Sequence, residues 1–215
     1  WDVATDADPQ VVMDLFAHTV PVGVQFGIVV VLLDEGEYEV ARFRRDGVYL
    51  DGRHPKEVEY SGAEEDARRR DFTINGMFYD PFEERIIDYV GGRQDIERRV
   101  VRAIGEAPQR FADDYLRMLR AVRFAARLGF EIEGETRRAI AEHAGHIRQI
   151  SAERVRDELT KMLVEGRAAS AMQTLLELGL LAEVLPEVVA MDGVPQPPEF
   201  HPEGDVWTHV KMLLD

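Results

Sequence analysis

The hydrophobic pattern of this chain changes near Pro108, and the change limits the folds that the chain can adopt. Before that point, apolar residues occur in short β-branched or alternating runs, which predict strands over 22–33 and 38–43. After it, they recur at helical spacing, so helices are predicted over 109–128, 134–145, 151–164 and 168–178. The predicted fold class is therefore α+β, a mixed β-sheet with helices followed by an all-helical part.

Breaks between these elements are marked by proline, glycine and charged residues. A helix is predicted from Pro9, and a last helix near Gly204. Loops or turns are predicted at places rich in glycine and polar residues: 34–36, a long mobile loop over 45–62, and 91–92. The pair Ser61 and Glu64 resembles a capping box that opens a short helix.

Composition excludes several classes of protein. The chain has no cysteine, which rules out disulfide scaffolds and thiol nucleophiles and fits the reducing cytoplasm. The longest strongly apolar run, residues 27–33, is far shorter than the roughly 18 residues that span a membrane, so no membrane partner is expected. Because the chain starts at Trp1 and stops inside a predicted helix, we expect it to be part of a longer protein.

The net charge of −15 argues weakly against a nucleic-acid partner, but the charges are unevenly distributed. Residues 1–41 carry eight acids and no lysine or arginine, whereas residues 42–127 carry 18 basic residues and 17 acids. Most of the basic residues are arginine. This distribution favours local recognition of anions over a basic outer surface.

Two carboxylates are candidate metal ligands. Asp2 lies where the chain enters the first half, and Glu39 lies in the middle of a predicted strand. Mg²⁺ prefers a few carboxylates together with waters and substrate phosphates. The alternative is that Glu39 only faces solvent on a one-sided sheet.

A charged cluster at 68–71 runs directly into an apolar segment. Asp71 could hold one guanidinium in a fixed orientation. The planar guanidinium carries several N–H donors in a rigid arrangement, which suits binding to phosphate or ribose oxygens. The alternative is that the three consecutive arginines form a solvated surface.

The predicted helix over 109–128 places four arginines within one arc: Arg117, Arg120, Arg123 and Arg127. Without interleaved acids they repel one another, which predicts an external anion; the alternative is an ordinary salt-bridged helix face. Asp114 lies three residues before Arg117, and together they offer an acceptor and a donor. Such a pair could accept the amine and ring nitrogen of cytosine or adenine while rejecting uracil and guanine.

Two further segments carry polar residues. Ser151 is a plausible N-cap, and Glu153, Arg154 and Glu158 behind it are expected to brace the arginine helix through ion pairs. His201 and His209 near the end are more often structural or exposed than metal ligands when they lack partners.

Six ordered motifs together resemble the class II tRNA nucleotidyltransferase and bacterial poly(A) polymerase family. They are Trp1-Asp2-Val3-Ala4-Thr5, Glu39-Val40 ahead of Phe43-Arg44, the run 69–75, Asp88 with Gly91-Gly92 and Asp95, Arg110-Phe111-x-Asp113-Asp114-x-x-Arg117, and Glu153-Arg154 with Glu158. The resemblance implies a nucleotidyltransferase-fold head followed by a helical neck and body. Two departures are Gly23-Val24-Gln25-Phe26-Gly27-Ile28, where many members have Gly-x-x-His-Gly-Thr, and Asp113 in place of glutamate.

The resemblance also implies roles for individual residues. Asp2 and Glu39 would be catalytic and would bind Mg²⁺ in a two-metal site whose remaining carboxylate lies upstream of residue 1. The nucleotide would be bound by Arg70, Asp114, Arg117, Arg120 and Arg123. The residues that would support the nucleotide site are Asp71, Asn75, Glu153, Arg154 and Glu158.

The resemblance implies CCA addition, whole or partial, to the 3′ end of tRNA from CTP and ATP. A poly(A) polymerase that tails RNA 3′ ends is the second possibility. A third is a phosphohydrolase of the His-Asp type with an RNA-binding N-terminal region, because residues 201–209 resemble the start of such a domain. The expected division is a head over 1–107, a neck over 108–165, a body and linker over 166–200, and the start of that domain over 201–215.

Overall fold

The computed structural model describes residues 2–46 and 58–214, and the chain divides into two compact units at Arg70 and Asp71. Unit 1 comprises residues 1–70 and unit 2 residues 71–215. The four-part division expected from the sequence remains a prediction. Among the described residues, no helix combines the length and the apolar character that crossing a bilayer requires.

Unit 1 is built on a mixed four-stranded sheet. Its strands are β1 (Val3–Thr5), β2 (Thr19–Gly23), β3 (Ile28–Leu33) and β4 (Gly36–Arg42), arranged in the order β1-β4-β3-β2. Strand β1 runs parallel to β4, and the other pairs are antiparallel. Helix α1 (Pro9–Leu15) packs against the sheet, where Val12, Val29 and Val31 are buried.

The prediction of a single strand over 22–33 is wrong. The segment contains the end of β2, a 3₁₀ turn over Val24–Phe26 and then β3. Gly27 ends the turn with a φ of +79°, a backbone conformation that glycine adopts without strain. The reversal turns one apolar run into two antiparallel strands, which hydrophobicity alone could not distinguish from one.

The region predicted as a loop over 45–62 is only partly described. Its ends form a short hairpin of β5 (Arg44–Asp46) and β6 (Val58–Tyr60), and residues 47–57 lie outside the described residues. Helix α2 (Ala63–Arg69) follows. The predicted capping pair is wrong by one residue, because Glu65, and not Glu64, accepts from the backbone N–H of Gly62 at 3.1 Å.

Unit 2 combines two small strand pairs with a helical bundle. The strands are β7 (Met77–Asp80), β8 (Arg85–Asp88), β9 (Val100–Val101) and β10 (Glu131–Ile132). The helices are α3 (Gly92–Arg98), α4 (Ala107–Asp113), α5 (Leu116–Leu128), α6 (Gly134–His143), α7 (Ala152–Val164), α8 (Ala168–Glu177), α9 (Leu180–Val184), α10 (Pro186–Val189) and α11 (Val206–Leu214). The predicted helices over 134–145, 151–164 and 168–178 are confirmed within a few residues.

Two details of unit 2 differ from the prediction. The helix predicted over 109–128 is broken, because Asp114 is extended (φ −160°, ψ 106°) and its side chain accepts from the backbone N–H of Leu116 at 3.0 Å. Gly91 and Gly92 were predicted as a turn, but Gly92 is the first residue of α3 and Gly91 caps that helix. Burial by itself would raise the pKa of the Asp88 carboxyl. Four backbone N–H groups donate to this carboxylate, and their combined effect leaves its pKa below the ordinary value; they belong to Arg93, Val90, Gly92 and Gly91.

One continuous core joins the strands and helices of unit 2. Phe72, Val101, Phe111, Leu119 and Ile140 are all buried in it. The core therefore joins residues on both sides of Pro108, the point where the sequence pattern changes. Helix α5 lies within it, since Met118, Ala121 and Val122 are inaccessible to solvent.

A charged pair is buried beside this core. The Nε of Arg123 on α5 donates to Glu158 on α7 at 2.6 Å, and their side chains are only 7% and 4% exposed. The guanidinium also lies over the ring of Phe124, 4.3 Å from its centroid. Burying either charge alone would be costly, so each side chain requires the other.

Substitution of Gly92 by alanine tests the close packing at the start of α3. An added Cβ would lie 2.3 Å from the carbonyl oxygen of Thr73, so the backbone must shift. We expect Gly92→Ala to lower the free energy of unfolding by about 1–3 kcal/mol in urea denaturation. The control is Gly134→Ala, because nothing lies within 4 Å of the added Cβ there. Equal stability of the two variants would contradict the packing.

Removal of one member of the buried pair tests its role in stability. Glu158→Ala leaves the buried Arg123 with only the more distant Glu165, 3.6 Å from its guanidinium, and we expect it to lower the free energy of unfolding by about 3–5 kcal/mol. Arg127→Ala is the matched control, since its side chain on the same helix is 53% exposed and its ion pair with Glu165 should be worth at most about 1 kcal/mol. The double variant Arg123→Met with Glu158→Leu should recover much of the loss. A Glu158→Ala variant as stable as the control would refute this role.

Candidate functional site

The two candidate metal ligands lie on neighbouring strands of unit 1. Val3 on β1 pairs with Val40 on β4, so the parallel register places Asp2 beside Glu39 at the same level of the sheet. Val40 contributes to the apolar cluster on one face, and alternation along the strand puts Glu39 on the opposite face. Both carboxylates are exposed, and neither forms a hydrogen bond or ion pair with another described residue.

This pair of carboxylates has the chemistry of a magnesium site. Neighbouring strands lie about 4.8 Å apart, so two like charges at one level of the sheet destabilise each other unless a cation lies between them. Carboxylate oxygens are the ligands that Mg²⁺ takes from proteins, with waters or substrate phosphates completing its octahedron. Asp2 and Glu39 therefore fit the ion that the family resemblance implies.

Arg70 lies at the end of unit 1 and is held by a buried carboxylate. Asp66 is 2% exposed; it accepts from the Arg70 guanidinium at 3.1 Å and from the Nε of Arg69 at 2.9 Å. The same carboxylate accepts from the backbone N–H of Arg44 at 3.3 Å. The Arg70 side chain is one-third exposed, and Asp66 holds one side of its guanidinium in place. The guanidinium is therefore preorganised to bind an anion from solvent. No sequence pattern distinguished Asp66 from the other acids of its short polar helix.

Within unit 2, Asp71 holds a guanidinium as expected, and the arginine concerned is Arg120 on α5. The Nε of Arg120 donates to Asp71 at 2.7 Å, while the other carboxylate oxygen accepts from the amide of Asn75 at 3.1 Å and from the backbone N–H of Phe72 at 2.8 Å. Arg120 is one-third exposed, which leaves part of its guanidinium open to solvent.

Asp114 and Arg117 are neighbours in the backbone, but their side chains have different partners. Asp114 pairs with Arg154 on α7 at 2.7 Å. Arg117 donates to the carbonyl oxygen of Arg110 at 3.1 Å and lies 3.5 Å from Asp113. Both side chains are thus fixed by other elements. An ionised carboxylate has about four acceptor positions, so Asp114 retains capacity for a ligand donor.

The expectation that the arginines of α5 need an external anion is wrong. Each is paired with a carboxylate from another element: Asp113 with Arg117, Asp71 with Arg120, Glu158 with Arg123, and Glu165 with Arg127. Asp71, Glu158 and Glu165 lie 49, 35 and 38 residues from their arginines, so helical spacing could not reveal these three pairs; Asp113 lies only four residues before Arg117.

Of the three residues expected to stabilise α5 through ion pairs, two do so and one does not. Arg154 pairs with Asp114 just before α5, and Glu158 pairs with Arg123 inside it. Glu153 is exposed in the first turn of α7 and forms no hydrogen bond or ion pair with α5; it interacts electrostatically with Arg156 instead. Ser151 precedes α7, but its side chain makes no capping hydrogen bond.

Comparison with known proteins gives two family matches. Residues 1–102 match the family described as poly A polymerase head domain. Residues 129–191 match the family described as the probable RNA and SrmB-binding site of polymerase A.

Full-length relatives and solved structures extend these matches. The chain is 44% identical over 185 residues to the CCA-adding enzyme of Bacillus subtilis, covering 85% of this chain and 46% of the relative. Its fold resembles the Bacillus stearothermophilus CCA-adding enzyme in complex with CTP, with a TM-score of 0.76 and 42% identity over 83% of this chain and 43% of that one.

A more distant structure shares the same fold. It is the Thermotoga maritima CCA-adding enzyme complexed with tRNA, with a TM-score of 0.71 and 25% identity over 86% of this chain and 43% of that one. The chain therefore spans just under half the length of the relatives that it matches. Together, the head-domain match and these relatives show that the chain belongs to the CCA-adding enzyme and poly(A) polymerase family of nucleotidyltransferases.

Proposed function

We propose that the protein adds CCA, whole or in part, to the 3′ end of tRNA from CTP and ATP without a nucleic-acid template. The observation that carries the proposal is the paired carboxylates Asp2 and Glu39 on β1 and β4, in a chain whose relatives are CCA-adding enzymes. A cytoplasmic location, where tRNA is matured in bacteria, is part of the proposal and agrees with the absence of cysteine.

In the proposed reaction, the 3′-hydroxyl oxygen of the RNA forms a bond to the α-phosphorus of the nucleotide, and pyrophosphate leaves. Mg²⁺ bound by Asp2, Glu39 and a further carboxylate upstream of residue 1 would supply Lewis-acid stabilisation of the attacking and leaving oxygens. Little covalent chemistry falls to the protein, so its residues act by positioning and by neutralising charge.

Base selection is assigned to Asp114 and Arg117. A carboxylate accepts from the exocyclic amine that cytosine and adenine share, and a guanidinium donates to the adjacent ring acceptor. Arg154 and the carbonyl oxygen of Arg110 hold these two groups in fixed positions, which favours discrimination between bases. A wrong base would leave these polar groups unpaired, and that penalty sharpens selection.

The remaining arginines divide by exposure. Arg70 and Arg120 are each about one-third exposed and anchored by a carboxylate, which suits contact with the phosphates or ribose of a nucleotide. Arg123 was also predicted to contact the nucleotide, but its burial against Glu158 favours a role in positioning α5.

Incorporation of nucleotides tests the proposed reaction. The protein, extended to the length of its relatives, is offered Mg²⁺ with ATP and CTP, singly and together, and tRNA lacking CCA, tRNA ending in CC, or unstructured RNA. We expect three residues on the first tRNA, one on the second, and then a stop. A long A tail on any RNA would instead identify a poly(A) polymerase, and no incorporation would favour the phosphohydrolase.

Substitution of the proposed metal ligand separates chemistry from nucleotide binding. Because Glu39 is placed at the metal, Glu39→Gln should lower the rate of incorporation at least about 100-fold while CTP still binds. The control Glu35→Gln, in the turn before β4, should react at the unaltered rate. Full activity of Glu39→Gln would exclude this carboxylate from the reaction.

Substitution of Arg117 tests base selection. Arg117→Ala should reduce the preference for CTP and ATP over UTP and GTP by about 1–3 kcal/mol, or roughly 5- to 150-fold, as measured by ratios of kcat/KM. Arg127→Ala provides the control on the same helix. If Arg117→Ala selected nucleotides as well as the unaltered protein, another group would have to read the base.

A further inference from the structure

A cluster of three aromatic side chains lies beside the base-reading residues of unit 2. Tyr115 is the residue between Asp114 and α5, and its ring stacks on the imidazole of His146 with centroids 4.7 Å apart and an interplanar angle of 12°. The ring of His143 lies 5.4 Å from that of His146 and 6.4 Å from that of Tyr115. These separations are typical of interacting aromatic rings. The proposed function gives no role to any of the three.

The three rings come from different parts of the bundle. His143 is the last residue of α6, and His146 lies in the 3₁₀ turn Ala144–Gln149 that follows it. Tyr115 packs against the core of unit 2, and all three side chains are partly exposed. The stack therefore joins the start of α5 to the segment that follows α6.

The stack holds the residue next to Asp114. The carboxylate of Asp114 is paired with Arg154 on α7 at 2.7 Å, but its backbone is extended and lies outside α5. The torsions between Asp114 and Tyr115 decide where the Asp114 side chain points relative to the helix. Because the Tyr115 ring is held against His146, rotation about these bonds is restricted. Asp114 is thus restrained through its side chain by one element and through its neighbour by another.

We propose that Tyr115, stacked on His146, is a positioning residue that keeps the Asp114 carboxylate in place for base selection. The inference rests on the proposed function, in which Asp114 and Arg117 read the base. Neither ring has to touch the nucleotide, because the effect passes through the backbone that Tyr115 shares with Asp114. His143 packs against both rings and supports the stack from the end of α6.

A fixed carboxylate improves selection in two ways. Uracil and guanine present a carbonyl where cytosine and adenine present an amine, and a carboxylate that cannot turn away repels that carbonyl. A carboxylate that is already ordered also loses less entropy when the correct base binds. Loss of the stack should therefore weaken CTP and ATP and favour UTP and GTP. It should act on nucleotide binding, because the proposed metal ligands Asp2 and Glu39 belong to unit 1.

Substitution of Tyr115 in the protein extended to the length of its relatives tests the proposal. Tyr115→Leu removes the ring and keeps an apolar side chain. The contribution of an aromatic pair beyond its buried area corresponds to a change of about 2- to 10-fold in an equilibrium. We expect the ratio of kcat/KM for CTP over UTP to fall by about that factor, with KM for CTP raised and kcat nearly unchanged. Tyr115→Phe keeps the ring and should select as the unaltered protein does.

Substitution of His146 tests the other half of the stack. His146→Leu should cause the same loss, and His146→Phe, which keeps a flat ring, should not. The double variant Tyr115→Leu with His146→Leu should select no worse than either single variant, since each removes the same contact. Tyr79→Leu is the control, because Tyr79 is 52% exposed on β7 and lies outside this cluster.

Urea denaturation of each variant separates positioning from a purely structural role. If the stack only stabilises the fold, Tyr115→Leu will unfold more easily but keep the CTP-to-UTP ratio of the unaltered protein, and the proposal is overturned. If Tyr115→Leu does not fold, the two His146 variants decide the same question on a partly exposed turn. An unaltered protein that does not prefer CTP over UTP would refute the proposed base selection and this inference together.

Discussion

The burial of arginine on α5 is the constraint on which the helical unit depends. A guanidinium cannot lose its proton at ordinary pH, so every arginine that enters the core must be matched by an acceptor. Arg123 meets Glu158 from α7 inside the core, and at its edge the one-third exposed Arg120 meets the buried Asp71 from the chain that leads into the first 3₁₀ turn of unit 2. These pairs fix which elements can lie beside α5, and they do so with more directional specificity than the apolar contacts around them.

The same pairing prepares the candidate site. Asp114 breaks the helix, begins α5 through its hydrogen bond to Leu116, and is held by Arg154. Arg117 is anchored at the carbonyl oxygen of Arg110. A base-reading pair needs both partners fixed before the ligand arrives, because side chains that must be ordered on binding discriminate less well. Ion pairs that looked structural in the sequence thereby serve the proposed selection of nucleotides.

Much of this arrangement could be predicted from the sequence. Periodicity located the helices over 134–145, 151–164 and 168–178, and the ordered motifs pointed to the family. The reversal at Gly27 and the break at Asp114 were missed, because both occur inside uninterrupted apolar or helical patterns. The partners of the α5 arginines were missed for another reason. Asp71 and Glu158 lie 49 and 35 residues from their arginines, and pairing over such distances is decided by packing.

The position of a bound base tests the account most directly. A crystal structure of the protein with CTP and Mg²⁺ would show it without any assay of turnover. We expect the exocyclic amine of cytosine within hydrogen-bond distance of Asp114 and its ring acceptor within the same distance of Arg117, while Arg154 still holds the carboxylate. A cytosine bound elsewhere, with Asp114 and Arg117 keeping only the partners described above, would contradict the central claim.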